Sequence, residues 1–213
     1  NDFIIFNGNF NSLKIDTNSS VISAEAGATI LDVSEIAEKH SLKGVEFFYD
    51  IPSSVGGAVV MNAGTKEGET QNILKKVRYL DLVDMVIKEK IKEDLELEYR
   101  NSFFQKQKDK IILKVWFQLS KGEKDIIRTI MEASKKRRWE RQPRELPNGG
   151  SVFKRPPGRF VGPMIDELGL KGFTIGGAQI SKKHGGFIVN INNATGLDIL
   201  KIIKHTQSKV KEF

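Results

Sequence analysis

Ile51-Pro-Ser-Ser-Val-Gly-Gly-Ala-Val-Val-Met-Asn-Ala-Gly64 is the stretch on which the reading of this 213-residue chain turns. A proline-restricted opening, two hydroxyls, a Gly-Gly pair and a run of small residues ask for more than a surface loop. Glycines at 56 and 57 let the backbone take positive φ and come close to a ligand. Neighbouring amides can then converge on an anion such as a diphosphate. The stretch reads as a cofactor cradle; a tight turn before a buried helix is the other reading the same residues allow.

Working outward, residues 1–24 show short alternating strands, with Phe3, Ile5, Leu13, Ile15, Val21 and Ser23 separated by Asn-Gly and Asn-Ser-Ser turns. Ile30, Val33, Ile36 and Ala37 fall at helical spacing and predict a helix over 29–40 that ends before Gly44. Beyond the cradle, the β-branched run 74–87 predicts two strands. Residues 111–119 predict a buried strand with Trp116 at its margin. A helix is expected over 124–141, stopped by Gln142-Pro143 because a residue before proline avoids helical backbone. Pro143, Pro147, Asn148, Gly149 and Gly150 mark a boundary, giving domains 1–147 and 148–213. The second domain reads as small and α+β: strands at 151–153, 174–181 and 186–190, a short helix at 163–168, and a last helix capped by Thr195 with Asp198 three residues on. Ile199, Ile202 and Ile203 of that helix should face a core.

Composition narrows the chemistry. The chain has no cysteine and only His40, His184 and His205, so disulfides and thiolate chemistry are excluded and no metal site is expected. Nothing approaches the length of a membrane-spanning apolar run, and no basic-then-apolar leader opens the sequence; a cytoplasmic monomer is expected. A net charge of +7 points to an anionic partner, either nucleic acid or a phosphorylated small molecule. The densest basic run, 135–144, reads either as a nucleic-acid footprint or as a solvated helix end whose cations complement the dipole. Trp139 is its one aromatic, and no nucleic-acid motif accompanies it.

Four stretches in one order carry a resemblance: the one quoted above, Glu98-Tyr-Arg-Asn-Ser102, Gly150-Ser-Val-Phe-Lys-Arg-Pro-Pro-Gly158, and Ile175-Gly-Gly-Ala-Gln-Ile-Ser-Lys-Lys-His-Gly-Gly-Phe-Ile-Val-Asn190. Together with Ala26-Gly-Ala28 and Asn193-Ala-Thr195 they resemble the UDP-N-acetylenolpyruvoylglucosamine reductases (UDP-N-acetylmuramate dehydrogenases), in their shorter, type II form. The resemblance implies an α+β protein with a two-part, vanillyl-alcohol-oxidase-like FAD-binding region and a substrate-binding domain. It implies that NADPH reduces bound FAD and that hydride then passes to the enolpyruvyl group of a UDP-sugar, giving UDP-N-acetylmuramate for peptidoglycan. Another FAD oxidoreductase of the same fold, or a divergent copy with weak activity, remains the alternative. The family's Gly-Ser-Asn flavin loop would precede residue 1, and its glutamate-bearing strand pair would follow residue 213; Glu212 does not match that glutamate. Asp50 and Ser53 stand where glycines are common in the family, and Lys66 where a tyrosine is expected.

On this resemblance Ile51, Pro52, Ser53, Ser54, Val55, Gly56, Gly57, Asn62 and Gly64 lie against the FAD, with amides of 53–57 near its diphosphate and Arg138 near phosphate charge. Arg100 stabilises the enolate that forms on the substrate, since its planar fork matches a carboxylate. Ser151 delivers the proton. Alone, Arg100 would read as a surface ion pair and Ser151 as a turn residue. Lys154, Arg155 and Arg159 are expected on substrate charge. His184 is expected either at the sugar nucleotide or as a structural histidine.

Overall fold

The computed structural model describes residues 6–212. Phe3 and Ile5, expected in the first strand, lie outside the described residues. The backbone divides into two compact units, Asn1–Lys135 and Lys136–Phe213.

The first unit begins with β1 (Leu13–Asp16) and β2 (Val21–Glu25), followed by α1 (Ile30–Lys39). The helix falls where the apolar spacing predicts, and Thr29 caps it, its hydroxyl accepting from the Asp32 amide at 3.0 Å. Next come β3 (Leu42–Lys43), a 3-10 turn at Glu46–Phe48, α2 (Val55–Val60) and α3 (Thr70–Ile73). The expected strand pair is β4 (Leu74–Asp81) and β5 (Val86–Ile91), and a second 3-10 turn follows at Lys92–Leu95. Then α4 (Phe103–Lys106), β6 (Lys110–Gln118), β7 (Ser120–Lys121) and α5 (Lys124–Arg141) complete this part of the chain.

Five strands make one antiparallel sheet in the order β1-β2-β6-β4-β5. Its covered face, with Ile22, Val77, Val115 and Phe117 fully or nearly fully buried, packs with Val33 and Ala37 of α1 and Val55, Ala58 and Val59 of α2 into one apolar cluster. The buried positions of β4 do not alternate strictly, because its register against β6 shifts between Leu74 and Lys76 and again between Arg78 and Tyr79. Each shift resets which residue faces inward. On the other face Trp116 sits among cations, with Lys76, Arg78 and Lys114 at 4.5, 5.3 and 5.3 Å from its ring centre.

In the second unit β8 (Asn148–Ser151), α6 (Val161–Glu167), β9 (Thr174–Ile175), β10 (Ala178–Ile180), β11 (Phe187–Asn190) and α7 (Gly196–Glu212) follow. The four strands form an antiparallel sheet, β8-β11-β10-β9. Two expectations need correction here. The first strand covers Asn148–Ser151 rather than 151–153, because Asn148 and Ser151 already pair with Val189 and Phe187. The run 174–181 is a hairpin, not one strand: Gly176, at φ 55°, turns β9 back onto β10. The last helix has the expected reciprocal cap, the Asp198 amide donating to Thr195 Oγ1 at 3.1 Å and the Thr195 amide to Asp198 Oδ2 at 2.9 Å. Ile202 is fully buried, with Ile199 and Ile203 packed beside it.

Candidate functional site

The cradle is built differently from the nest of unpaired amides that its glycines suggest. Ser54 caps α2, its hydroxyl accepting from the Gly57 amide at 3.1 Å. The Val55 amide donates to Ala28 O and the Gly56 amide to Ala26 O, both at 2.8 Å, while the Ser53 amide donates to Ile51 O at 2.9 Å. The amides of Ser53, Val55, Gly56 and Gly57 thus have partners inside the protein. Nor do the glycines serve positive φ, since both lie in α2. A Cβ on Gly56 would come within 3.2 Å of the Ala26 carbonyl oxygen and methyl. Ala26-Gly-Ala28 and Val55-Gly56 are thus two lips of one close backbone crossing. A Cβ on Gly57 would meet the Ser54 and Ser53 hydroxyls at 3.2 and 3.3 Å.

What remains open to a ligand is the partly exposed surface of Ser53, Ser54 and Gly57. Two small hydroxyls flank a position a methyl would fill, at the positive end of a short helix. The Ser53 hydroxyl donates to Ser54 O at 3.1 Å, while the Ser54 hydroxyl, accepting from Gly57, keeps its own proton to donate, which fits a phosphate-bearing cofactor such as FAD. Ile51 is partly buried, packed against the main core, and Pro52 is exposed beside it. Asp50, where the family commonly has glycine, takes left-handed backbone at φ 64°.

The other end of α2 receives the second motif. Ser102, fully buried, donates its hydroxyl to Val60 O at 2.8 Å. The Arg100 guanidinium donates from Nη1 to Asn62 O at 3.0 Å and from Nη2 to Gly64 O at 2.6 Å, with Glu69 Oε1 at 3.4 Å from Nη1. Ser102 thus satisfies a carbonyl that the end of α2 leaves without a partner, while Arg100 holds two carbonyls of the loop just beyond it. Arg100 is itself left-handed, at φ 53°, and its side chain keeps 28% exposure. Its fork is fixed on one edge, with donors left over.

Asn62 is fully buried at φ 41°. Its Oδ1 accepts from the Gln71 amide at 2.9 Å, and its Nδ2 donates to Glu98 O at 3.0 Å and Glu69 Oε2 at 3.2 Å. All the polar atoms of that side chain are engaged within the protein. Gly64 is required by crowding, because a Cβ there would lie 2.3 Å from Gly68 O. Lys66 is solvated, 71% exposed. Sequence reading gave no role to Ser102 or Glu69; the one signal for Ser102 was its place inside the quoted motif.

In the second unit Ser151 is exposed at the end of β8, opposite Phe187. A Cβ on Gly186 would meet Ser151 Oγ at 3.2 Å and the His184 ring at 3.1 Å, so the hydroxyl and the imidazole flank the same bare Cα. His184 Nδ1 accepts from the Gly186 amide at 3.1 Å, and the ring stands edge-on to Phe187. Burial pushes its pKa down, so the neutral ring with its proton on Nε2 is favoured. Lys154 and Arg155 are exposed on the loop after β8, Arg155 over the Phe160 ring at 5.1 Å. Arg159 is held by Glu167 at 3.0 Å. Arg138 is half-buried on α5. Among the described residues no cluster of side chains could hold a metal ion, and no helix is long and apolar enough to cross a membrane.

Residues 1–86 match the family model for an FAD binding domain, which sets the class of the first part of the chain. Residues 142–213 match the C-terminal domain of UDP-N-acetylenolpyruvoylglucosamine reductase. The chain belongs to the UDP-N-acetylenolpyruvoylglucosamine reductase family. It is 46% identical to the reductase so named from Syntrophomonas wolfei, over 95% of this chain and 67% of the relative. With that of Clostridium perfringens it shares 44% identity over 95% of this chain and 66% of the relative. The crystal structure of the reductase from Thermus caldophilus superposes with a TM-score of 0.81 at 33% identity, covering 92% of this chain and 70% of that one. The chain thus spans about two thirds of the length of the curated relatives it matches.

Proposed function

We propose that this chain belongs to an enzyme that reduces the enolpyruvyl ether of UDP-N-acetylglucosamine to UDP-N-acetylmuramate, a step of peptidoglycan precursor synthesis, with NADPH as reductant. The observation that carries this reading is the guanidinium of Arg100 pinned by Asn62 O and Gly64 O at the end of the presumed flavin helix. Bound FAD would supply hydride, taken from NADPH, to C3 of the enolpyruvyl group. Ser53 and Ser54 would hold its diphosphate by their hydroxyls, with Ile51, Pro52, Val55 and Gly56 shaping the backbone around them and Arg138 adding positive charge.

Once C3 has gained hydride, C2 carries a negative charge that spreads onto the neighbouring carboxylate. Arg100 meets that charge with donors its carbonyl anchors leave over. Because its orientation is fixed before substrate arrives, little reorganisation is needed when charge develops. Ser151 gives its hydroxyl proton to C2, closing the balance: one hydride and one proton added across the double bond. Lys154, Arg155 and Arg159 supply positive charge for the UDP moiety. The neutral His184 beside Gly186 keeps the Ser151 side of the loop in shape and presents Nε2–H to the sugar nucleotide. We place the functional boundary after Pro147, a reading supported by Asn148 being the first residue of the four-stranded sheet on which Ser151 sits. The partner is a UDP-sugar rather than nucleic acid, and the working unit is a monomer in the cytoplasm.

Ser151→Ala tests the assignment. Reduction of bound FAD by NADPH should keep its rate, while reoxidation by the enolpyruvyl substrate slows by about 100-fold or more. Stopped-flow absorbance of the flavin separates the two half-reactions, and an equal fall in both would make Ser151 structural.

A further inference from the structure

We propose that Asn62 and Glu69 are positioning residues for Arg100, and that this is why a buried amide and a partly buried carboxylate meet behind the cradle. The inference rests on the functional reading above for its catalytic consequence, but its structural part stands alone.

Arg100 does not grip rigid regular structure. Its two acceptors, Asn62 O and Gly64 O, belong to the loop between α2 and α3, where Asn62 is held in left-handed backbone. Such a loop keeps its carbonyls aimed only if something ties it. The Asn62 side chain ties it to the start of α3 through the Gln71 amide, and to the turn that carries Arg100 through Glu98 O. Glu69 closes the circuit. Its Oε2 accepts from Asn62 Nδ2 at 3.2 Å and Gln71 Nε2 at 2.8 Å, and its Oε1 faces the Arg100 guanidinium at 3.4 Å. Its carboxylate also takes part in the cap of α3, and residues 64 and 69 are bridged by backbone.

Every polar atom of the Asn62 side chain therefore fixes either the loop that accepts from Arg100 or the turn that bears it. Asparagine suits the position for two reasons: it tolerates left-handed backbone better than other non-glycine residues, and it offers donor and acceptor together. Substrate orientation by a held guanidinium is sensitive to displacements of about 1 Å, which can cost about 100-fold in rate. A loop two bonds looser is enough to matter.

The test uses Asn62→Gly, which keeps the backbone conformation accessible while removing the ties, and Glu69→Gln, which keeps the volume should the first variant not fold. The direct readout is the Arg100 Nη–H signal in nitrogen-15 NMR of the protein, since Nη1 and Nη2 make the bonds to Asn62 O and Gly64 O. In the parent it should be a resolved, slowly exchanging resonance; in either variant it should collapse toward the averaged position of solvated arginines. A signal that stays resolved and protected in both variants overturns the proposal, whatever the enzyme does. The second readout is a double-mutant cycle on the substrate half-reaction with Arg100→Lys. Asn62→Gly alone should slow reoxidation by about 10-fold, and by less than about 2-fold once Arg100 is already lysine. A repeated, additive loss in the Arg100→Lys background means Asn62 acts on the fold generally and overturns the positioning role. If Arg100→Lys changes nothing in catalysis while the resonance behaves as described, the functional reading of Arg100 fails and the positioning contact survives.

Discussion

The two glycine-rich stretches that carry the resemblance look alike in sequence and differ physically. In the cradle, Gly56 and Gly64 are glycine because there is no room: their Cβ positions fall 3.2 Å from Ala26 and 2.3 Å from Gly68 O. In the loop that holds Ser151, Gly150 and Gly158 have no described heavy atom within 4 Å of a Cβ, but take φ of 84° and 72°. One stretch is limited by packing, the other by backbone conformation. Packing limits belong to a scaffold that must not move, and conformational limits to a chain that must turn sharply in open space. The difference matches the roles assigned to Arg100, fixed by carbonyls, and Ser151, exposed at a strand end.

The contrast can be broken most directly with alanine. Gly64→Ala drives a methyl into backbone and should cost about 3 kcal/mol, at the upper end of overpacking effects. Gly150→Ala meets only the left-handed penalty, about 1 kcal/mol. Urea denaturation followed by circular dichroism compares them, and equal losses would erase the distinction. Next in size is Ser102→Ala, which strands the Val60 carbonyl at the end of α2. A loss of about 1–2 kcal/mol is expected from that buried acceptor, read in the same titration.

Acid should separate the units more gently. In the second unit, burial lowers the pKa of His184, so the unfolded chain takes up the proton first. The stability tied to the neutral ring is present above about pH 6.5 and is lost as the pH falls through the lowered folded value. In the first unit, Lys110 and then Lys88 hold Asp81 well below the usual carboxylate range. That contribution is present above about pH 4 and fades only as the pH falls below it. Thermal melts followed by Trp139 and by Trp116 in single-tryptophan variants should show the second unit weakening first. His184→Gln should flatten the slope between pH 7 and 5, and Asp81→Asn the slope below pH 4. A common response of both probes would tell against separate windows.

Much of this was legible from the residues. The 124–141 helix, the Thr195 cap and the strand pair after Leu74 follow from local rules: spacing, a hydroxyl before an apolar run, a proline that stops a helix. Where the reading missed, a distant partner had the deciding influence. The 174–181 run became a hairpin because Gly176 turns it, and β8 began at Asn148 because β11 offers the pairing edge.

The sequence by itself determined the family, the absence of thiol chemistry, and which two stretches supply an arginine and a serine. These are matters of residue identity and order. Only the tertiary structure decided that the cradle amides are committed to Ala26, Ala28 and Ser54, that Asn62 faces inward, and that Glu98-Tyr-Arg-Asn-Ser102 closes the end of α2. A backbone amide carries no sign in the sequence of which carbonyl it will meet, and that choice falls to packing between segments far apart along the chain.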